Sequence, residues 1–248
     1  MRITPLARRL APPAALIAAL ALPTMSSAIN PPSNGGGGGG GSTEITGASC
    51  GQGSIVWVSE TIRVTSGTFD GGCRVYTATS ALGDGGQSEN QKPIFRVENG
   101  ATLKNVVIGH NGADGIHVYN GATLDNITWN DVGEDALTVK SAGDVTIRNI
   151  EGYNAYDKFF QINAPTKLHV SNCIIRNAGK ALRQNGGTNF RMDVTFDRCD
   201  ISGMKEGVFR TDSPTSVARI TNSRVRNGTT LCIGFTPGNC TSSNITYY

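Results

Sequence analysis

The sequence predicts an all-β chain built as a single-stranded parallel β-helix of short coils. Three observations carry the prediction. The pentapeptide NGATL occurs at Asn99–Leu103 and again at Asn120–Leu124. Alignment from this pentapeptide onward gives ATLKNVVI, ATLDNITW, DVTIRNIE, KLHVSNCI, DVTFDRCD and ARITNSRV, whose shared register position holds Asn105, Asn126, Asn149, Asn172, Arg198 and Asn222. The steps between these residues are 21, 23, 23, 26 and 24 residues, and β-branched residues lie on either side. A period in the low twenties with this chemistry fits one coil of a β-helix. A leucine-rich repeat has a similar period, but its leucine scaffold and helical half are missing.

The chain begins with elements outside the repeat. Arg2, Arg8 and Arg9 precede the apolar run APPAALIAALALP, and a small-residue stretch ends at Ala28. This order predicts a secretory signal peptide over residues 1–28. Residues 29–42, INPPSNGGGGGGGS, cannot bury apolar surface and are expected to form a Pro/Gly-rich linker. Residues 43–248 are then one domain, with no later apolar run long enough to cross a bilayer as a helix. A secreted, extracellular, soluble monomer with no membrane partner is the expectation.

Charge excludes one function class. The chain has 22 Lys+Arg against 19 Asp+Glu, and the leader carries three of the arginines and no acid. What remains is formally neutral, so there is no global basic field for nucleic acid. An anionic substrate must be held by local charge.

Stacked coils lie roughly 4.8 Å apart, so each register position becomes a column. The Asn column is expected to be a buried ladder of side-chain amides with a structural role. The six cysteines, all beyond the leader, suit disulfides in an exported chain and their spacings do not suit a zinc site. Cys50–Cys73 and Cys232–Cys240 are expected as terminal staples. Cys173 and Cys199 share a column one coil apart, which serves a disulfide or a pair of stacked thiols equally well.

A second column carries charge. Eight or nine positions after the register residue lie Asp114, then Glu134 and Asp135, then Asp157 and Lys158, then Lys180, then Glu206. Each precedes a second apolar segment, so the charges are expected at a bend, stacked above one another. Carboxylates stacked coil on coil repel and need a counter-charge. The lysines supply part of it, and a bound cation is the natural supplement. Oxygen-only ligands point to a hard ion, and Ca²⁺ tolerates irregular carboxylate geometry better than Mg²⁺.

At these residues the sequence resembles the pectate lyases of polysaccharide lyase family 3. ENGATLKNVVIG, ADGIHV, DVGEDALT, DKFFQ and GKALRQNGG carry the resemblance, which covers most of Gly83 to Tyr248. It implies a right-handed β-helix and Ca²⁺-dependent β-elimination of polygalacturonate, the pectate of plant cell walls. It places the calcium acids on Asp114, Glu134 and Asp135, with Glu89 of SENQKPIF as a further acid at the cleft. It places the basic catalytic cluster on Lys158, Lys180 and Arg183. Lys158, in register beside Asp135, is favoured as the base over Lys180, with Lys180 and Arg183 binding the substrate carboxylate. A lysine base requires a lowered pKa, which neighbouring cations can provide.

Other readings compete. The glycine tether also resembles, in miniature, the leaders of harpin-like secreted proteins, which implies a non-catalytic calcium-dependent pectate-binding module. A binding module has no need of a base, and the lysines weigh against it. A structural adhesin-like repeat leaves the acid–base line unexplained. A polygalacturonase would need carboxylates as acid and base around one bond, whereas the central positions here turn to lysine. His117, in the column of Thr138, is a candidate substrate contact in the groove. His110 and His169 read as surface residues. Trp57 and Trp129 read as packing or coil-bend residues rather than sugar platforms.

Overall fold

The computed structural model describes residues 44–248. The leader and linker expected over 1–28 and 29–42 lie outside the described residues. Those described form a right-handed parallel β-helix of about eight turns, and no helix occurs among them.

Two series of parallel strands build it. The first stacks β1 (Ile55–Val58), β3 (Thr68–Ala78), β5 (Thr102–Ile108), β7 (Ala122–Trp129), β9 (Val145–Ile162), β10 (Thr166–Gln184), β11 (Met192–Arg210), β12 (Val217–Val225) and β14 (Cys240–Tyr247). The second stacks β2 (Ile62–Val64), β4 (Phe95–Glu98), β6 (Ile116–Tyr119) and β8 (Asp135–Val139). It then continues through the later halves of β9, β10 and β11 to β13 (Cys232–Ile233). In the central coils, therefore, one long strand serves both series.

Inward residues stack by type. Leu103, Leu124, Ile147, Val170, Phe196 and Ile220 share one column, and all are fully buried. Phe95, Ile116, Leu137, Phe160, Leu182 and Phe209 form a second column, also fully buried, on the other series. Burial of such side chains contributes about 1.5–3 kcal/mol each. This second column backs the strands that carry the charged residues.

The asparagine column bends the strands of the first series in mid-course. Asn105, Asn126, Asn149, Asn172, Arg198 and Asn222 all have φ between 50° and 58°. Asn tolerates this left-handed region better than other non-glycine residues. The column extends beyond the sequence alignment to Cys73 and Asn244, both with positive φ. Asn126 Nδ2 donates to Asn105 Oδ1 at 2.8 Å, and Asn172 to Asn149 at 2.9 Å. The ladder is not continuous: Asn149 donates to Asp125 and Asn222 to Asp197, each at 2.7 Å. It is half-buried rather than buried, because it lies at an outer bend.

A strap covers that bend. Residues 44–53 run along the solenoid axis, across the coils rather than within one. The Thr46 N–H donates to Asn172 Oδ1 at 3.0 Å, the Ser49 N–H to Asn126 Oδ1 at 2.7 Å, and the Gly53 N–H to the Cys73 carbonyl at 3.1 Å. The expected Cys50–Cys73 disulfide pins the strap, and Cys232–Cys240 closes the last coils. Cys173 and Cys199 are also bonded, which settles the open alternative. Trp129 is fully buried, as a packing residue should be, whereas Trp57 on the edge strand β1 is 67% exposed and packs on no core.

Candidate active site

The charged column sits on the second series. Asp114 ends the loop before β6, Glu134 lies at the bend before β8, and Asp135 is the first residue of β8. In the next coils the bend expected there is absorbed. Asp157 and Lys158 lie inside continuous β9, and Lys180 lies inside β10, just past a register shift between Ala178 and Lys180. Asp135 pairs with Lys158 and Lys158 with Lys180, so the predicted line is a true β ladder.

Two glycines allow the coils to close up here. A Cβ on Gly133 would collide with the Ala113 carbonyl oxygen, and one on Gly179 with that of Asp157. Both are backbone contacts that cannot give way. These residues let Glu134 stack over Asp114 and Lys180 over Asp157. The sequence shows them only as glycines immediately before the charged positions.

Asp114, Glu134 and Asp135 are all at most 5% exposed, and each offers a carboxylate oxygen within 4.8 Å of the others. Asp114 Oδ1 and Asp135 Oδ1 are buried without a hydrogen-bond partner. Asp135 Oδ1 lies 3.2 Å from Lys158 Nζ, an ion-pair contact without hydrogen-bond alignment. Asp135 Oδ2 accepts from Thr138 Oγ1 at 3.2 Å. Burial raises all three acids. Glu134 is pushed up to about 7 by burial and then by the hydrogen bond and charge of Asp114. Asp135 is pushed up to about 8 by burial, reinforced by the Glu134 and Asp114 charges and only partly offset by Lys158.

Lys158 Nζ sits 3.2 Å from Asp135, 3.6 Å from Glu134 and 3.4 Å from Asp157. Burial pulls this ammonium down, but the Asp135 and Glu134 charges outweigh it and its pKa ends above the ordinary lysine value. The expectation of a lowered pKa is thus reversed: its neighbours are carboxylates, not cations. Lys180 is 5% exposed and held between Asp157 Oδ1 and Glu206 Oε1, the latter at 2.8 Å. Arg183, three residues further along β10, makes a two-pronged contact with Asp212 at 3.1 and 2.8 Å. Glu206 also binds Arg210 at 2.6 Å. The sequence carries no sign of the clamping roles of Asp157, Glu206 and Asp212.

Two candidates take different places from those expected. His117 does share the column of Thr138, but it is 6% exposed, with Nε2 2.6 Å from Asp114 Oδ2. Burial, with Lys140 nearby, depresses its pKa to about 3. The ring shares this hydrogen bond with Asp114 and orients that acid, leaving little surface for a sugar. Glu89 is exposed on the loop between β3 and β4 and stands outside the acid trio. Its charge reaches Asp114, and the loop is tied to the Glu134 coil by Gln87 Nε2 donating to the Gly133 carbonyl at 2.6 Å.

A buried trio of oxygen ligands with two orphaned acceptor atoms fits a hard divalent cation. Beside it stand two lysines and an arginine on consecutive coils. Comparison with known proteins gives the chain's family. Probable pectate lyase E of Neosartorya fischeri is 35% identical over 156 residues, covering 62% of this chain and 59% of that protein. Pectate lyase E of Emericella nidulans is 34% identical over 156 residues, with the same coverage of each. The chain thus spans 59% of the length of these fungal relatives. The crystal structure of the catalytic domain of pectate lyase PelI from Erwinia chrysanthemi shares the fold, with a TM-score of 0.59 at 23% identity, covering 79% of this chain and all of that one. PelI in complex with tetragalacturonic acid gives a TM-score of 0.58 at 21% identity, covering 77% of this chain and 70% of that one. The family profile described as pectate lyase matches residues 46–241, and the chain accordingly belongs to the pectate lyase family.

Proposed function

We propose that the protein is a secreted, monomeric pectate lyase that cleaves polygalacturonate by calcium-assisted β-elimination. The observation that carries this reading is the convergence of Asp114, Glu134 and Asp135 within 4.8 Å, all buried, with Asp135 paired in register with Lys158. Three disulfides suit an oxidising compartment. No helix among the described residues is long and apolar enough to cross a membrane.

Asp114, Glu134 and Asp135 would hold the ion, with Glu89 available at the rim. A Ca²⁺ ion held there would supply Lewis-acid polarisation of a galacturonate carboxylate and would offset the carboxylate charges that keep Lys158 protonated. Lys158, once neutral, accepts the C5 proton. The C5–H electrons form the C4–C5 double bond as the C4–O4 bond breaks, and O4 takes up a proton from water. Lys180 and Arg183 hold the substrate carboxylate and spread its developing charge. His117 keeps Asp114 oriented, and Thr138 does so for Asp135.

A non-catalytic pectate-binding module is the second reading. It is favoured by one observation: Lys158, Lys180 and Arg183 are each paired with carboxylates and none stands ready as a free base.

Stability tests the metal site without recourse to turnover. Glu134 and Asp135 have folded values of about 7 and about 8, above their ordinary values of 4.5 and 3.8. Between about pH 4 and pH 8 these two acids bind more protons in the folded chain than in the unfolded one and make stability fall as pH rises. His117 has a smaller opposite effect, because its imidazole is protonated only in the unfolded chain below about pH 6.5. In chelator, Tm is expected to drop from pH 5 to pH 8. Calcium binds the folded, ionised trio and should raise Tm more at pH 8 than at pH 5. Asp135→Asn should flatten the drop and raise the calcium concentration needed, while keeping the β circular-dichroism signature. A Tm indifferent to calcium at both pH values would remove the metal from this site.

A further inference from the structure

The irregularity in the acid–base ladder does more than place Asp157. Ala155, Ala178 and Met204 are in register on three successive coils, and so are Lys158, Lys180 and Gly207. Between these two rungs the middle coil has only Gly179, while the coils on either side have two residues each, Tyr156–Asp157 and Lys205–Glu206. An extra residue bends a strand locally and re-aims its side chains. One residue of each pair turns to the ladder: Asp157 contacts Lys158 and Lys180, and Glu206 contacts Lys180 and Arg210. The other turns out to solvent.

Tyr156 is 71% exposed, the most exposed of the large apolar side chains among the described residues. Lys205 is exposed too, and its Nζ lies 5.0 Å from the centre of the Tyr156 ring and 3.5 Å from the Tyr156 carbonyl oxygen. It reaches across the intervening coil because Gly179 has no side chain to stand in the way. The nearby carboxylates of Asp157 and Glu206 are committed to other cations, and among the described residues Lys205 has no carboxylate within ion-pair distance. An aromatic ring and an unpaired ammonium thus stand side by side on the flank of Lys180.

We propose that Tyr156 and Lys205 form a subsite for a galacturonate unit beyond the one whose bond breaks, on the side of the ladder away from the acid trio. The galacto configuration gathers the C3–H, C4–H and C5–H bonds into an apolar patch on one face of the ring, and C5 also bears the carboxylate. A single unit therefore offers a stacking face and an anion next to each other, the pair that Tyr156 and Lys205 complement. Stacking covers apolar surface that Tyr156 otherwise leaves in water. The carboxylate engages an ammonium that has no ion pair to break, so the whole of a new charge-assisted contact is available for binding. A lone surface tyrosine needs no explanation. Tyr156 is set apart by the extra residue that lifts it and by the ammonium held against its ring.

The substrate in this inference rests on the lyase reading, and the test separates the two. With calcium present, Tyr156→Ala and Lys205→Met should each raise KM for polygalacturonate about three- to tenfold while kcat stays within about twofold. Because one sugar unit uses both groups, the double variant should lose less than the product of the two single effects. Tyr156→Phe keeps the ring and Lys205→Arg the charge, so both should recover most of the affinity. The calcium concentration giving half-maximal activity should not move in any of these variants. An unchanged KM in either single variant overturns the subsite, and so does a loss confined to kcat. If the unmutated protein yields no unsaturated product, the lyase reading fails, and calorimetry with polygalacturonate then decides the subsite alone. Weaker binding by both single variants supports it, and unchanged affinity in either overturns it.

Discussion

Lys158→Ala is expected to lose about 10²–10⁴-fold in turnover on polygalacturonate, the usual contribution of a positioned general base. Its calcium site should survive, because the substitution removes a counter-ion from Glu134 and Asp135 and none of the oxygen ligands. Binding of polygalacturonate in calcium should therefore persist in a pull-down or calorimetric assay while product formation collapses. Lys180→Ala and Arg183→Ala should weaken binding as well, since both hold the substrate carboxylate in the proposed arrangement. The unmutated protein should gain activity through the alkaline range, because the raised pKa of Lys158 must be overcome before it can accept a proton. If Lys158→Ala turns over normally and Lys180→Ala does not, the two lysines exchange roles. An optimum near pH 5 would point instead to paired carboxylates and hydrolysis.

Trp129→Ala should cost about 3–5 kcal/mol of stability, the range for removing a fully buried large aromatic. The side chain is wholly buried, packs edge-on against Phe159 at 5.3 Å and Phe160 at 6.5 Å, and donates its Nε1–H to the Ala136 carbonyl at 2.9 Å. These contacts tie the core to the two places proposed for chemistry. Ala136 is the residue after Asp135, and Phe159 the residue after Lys158. The substitution should thus lower the denaturation midpoint in urea and also weaken calcium binding, measured by titration below the unfolding transition. Trp129→Phe should recover much of the packing but leave the Ala136 carbonyl without its donor. Unchanged calcium affinity in Trp129→Ala would show that the trio is held by its own coil alone.

The columns are legible in the sequence because a solenoid converts a repeated position into a spatial neighbour. That logic places Asn105 through Asn222, the acid trio, and the Asp135–Lys158–Lys180 ladder correctly. It fails wherever a contact does not follow the period. The strap from Thr46 to Gly53 reaches residues up to 126 positions away and carries no repeat of its own. His117 alternates as an outward residue, yet Asp114, three positions earlier in the loop before β6, draws its ring into a buried hydrogen bond. The pairing of Arg183 with Asp212 links successive coils through side chains whose reach the register alone does not reveal. The Lys158 pKa departs from expectation for a related reason. Counting positions brings its cationic neighbours to notice, whereas the contacts that decide its charge are carboxylates, Glu134 and Asp135 of the preceding coil and Asp157 beside it.

Incubation with polygalacturonate, with and without a calcium chelator, while monitoring the ultraviolet absorbance of the unsaturated product, tests the central claim most directly. The account predicts steady product formation at alkaline pH in calcium and its loss in chelator, restored when excess calcium is returned. Tight calcium-dependent binding of polygalacturonate with no unsaturated product at any alkaline pH would contradict it and leave the binding-module reading in its place.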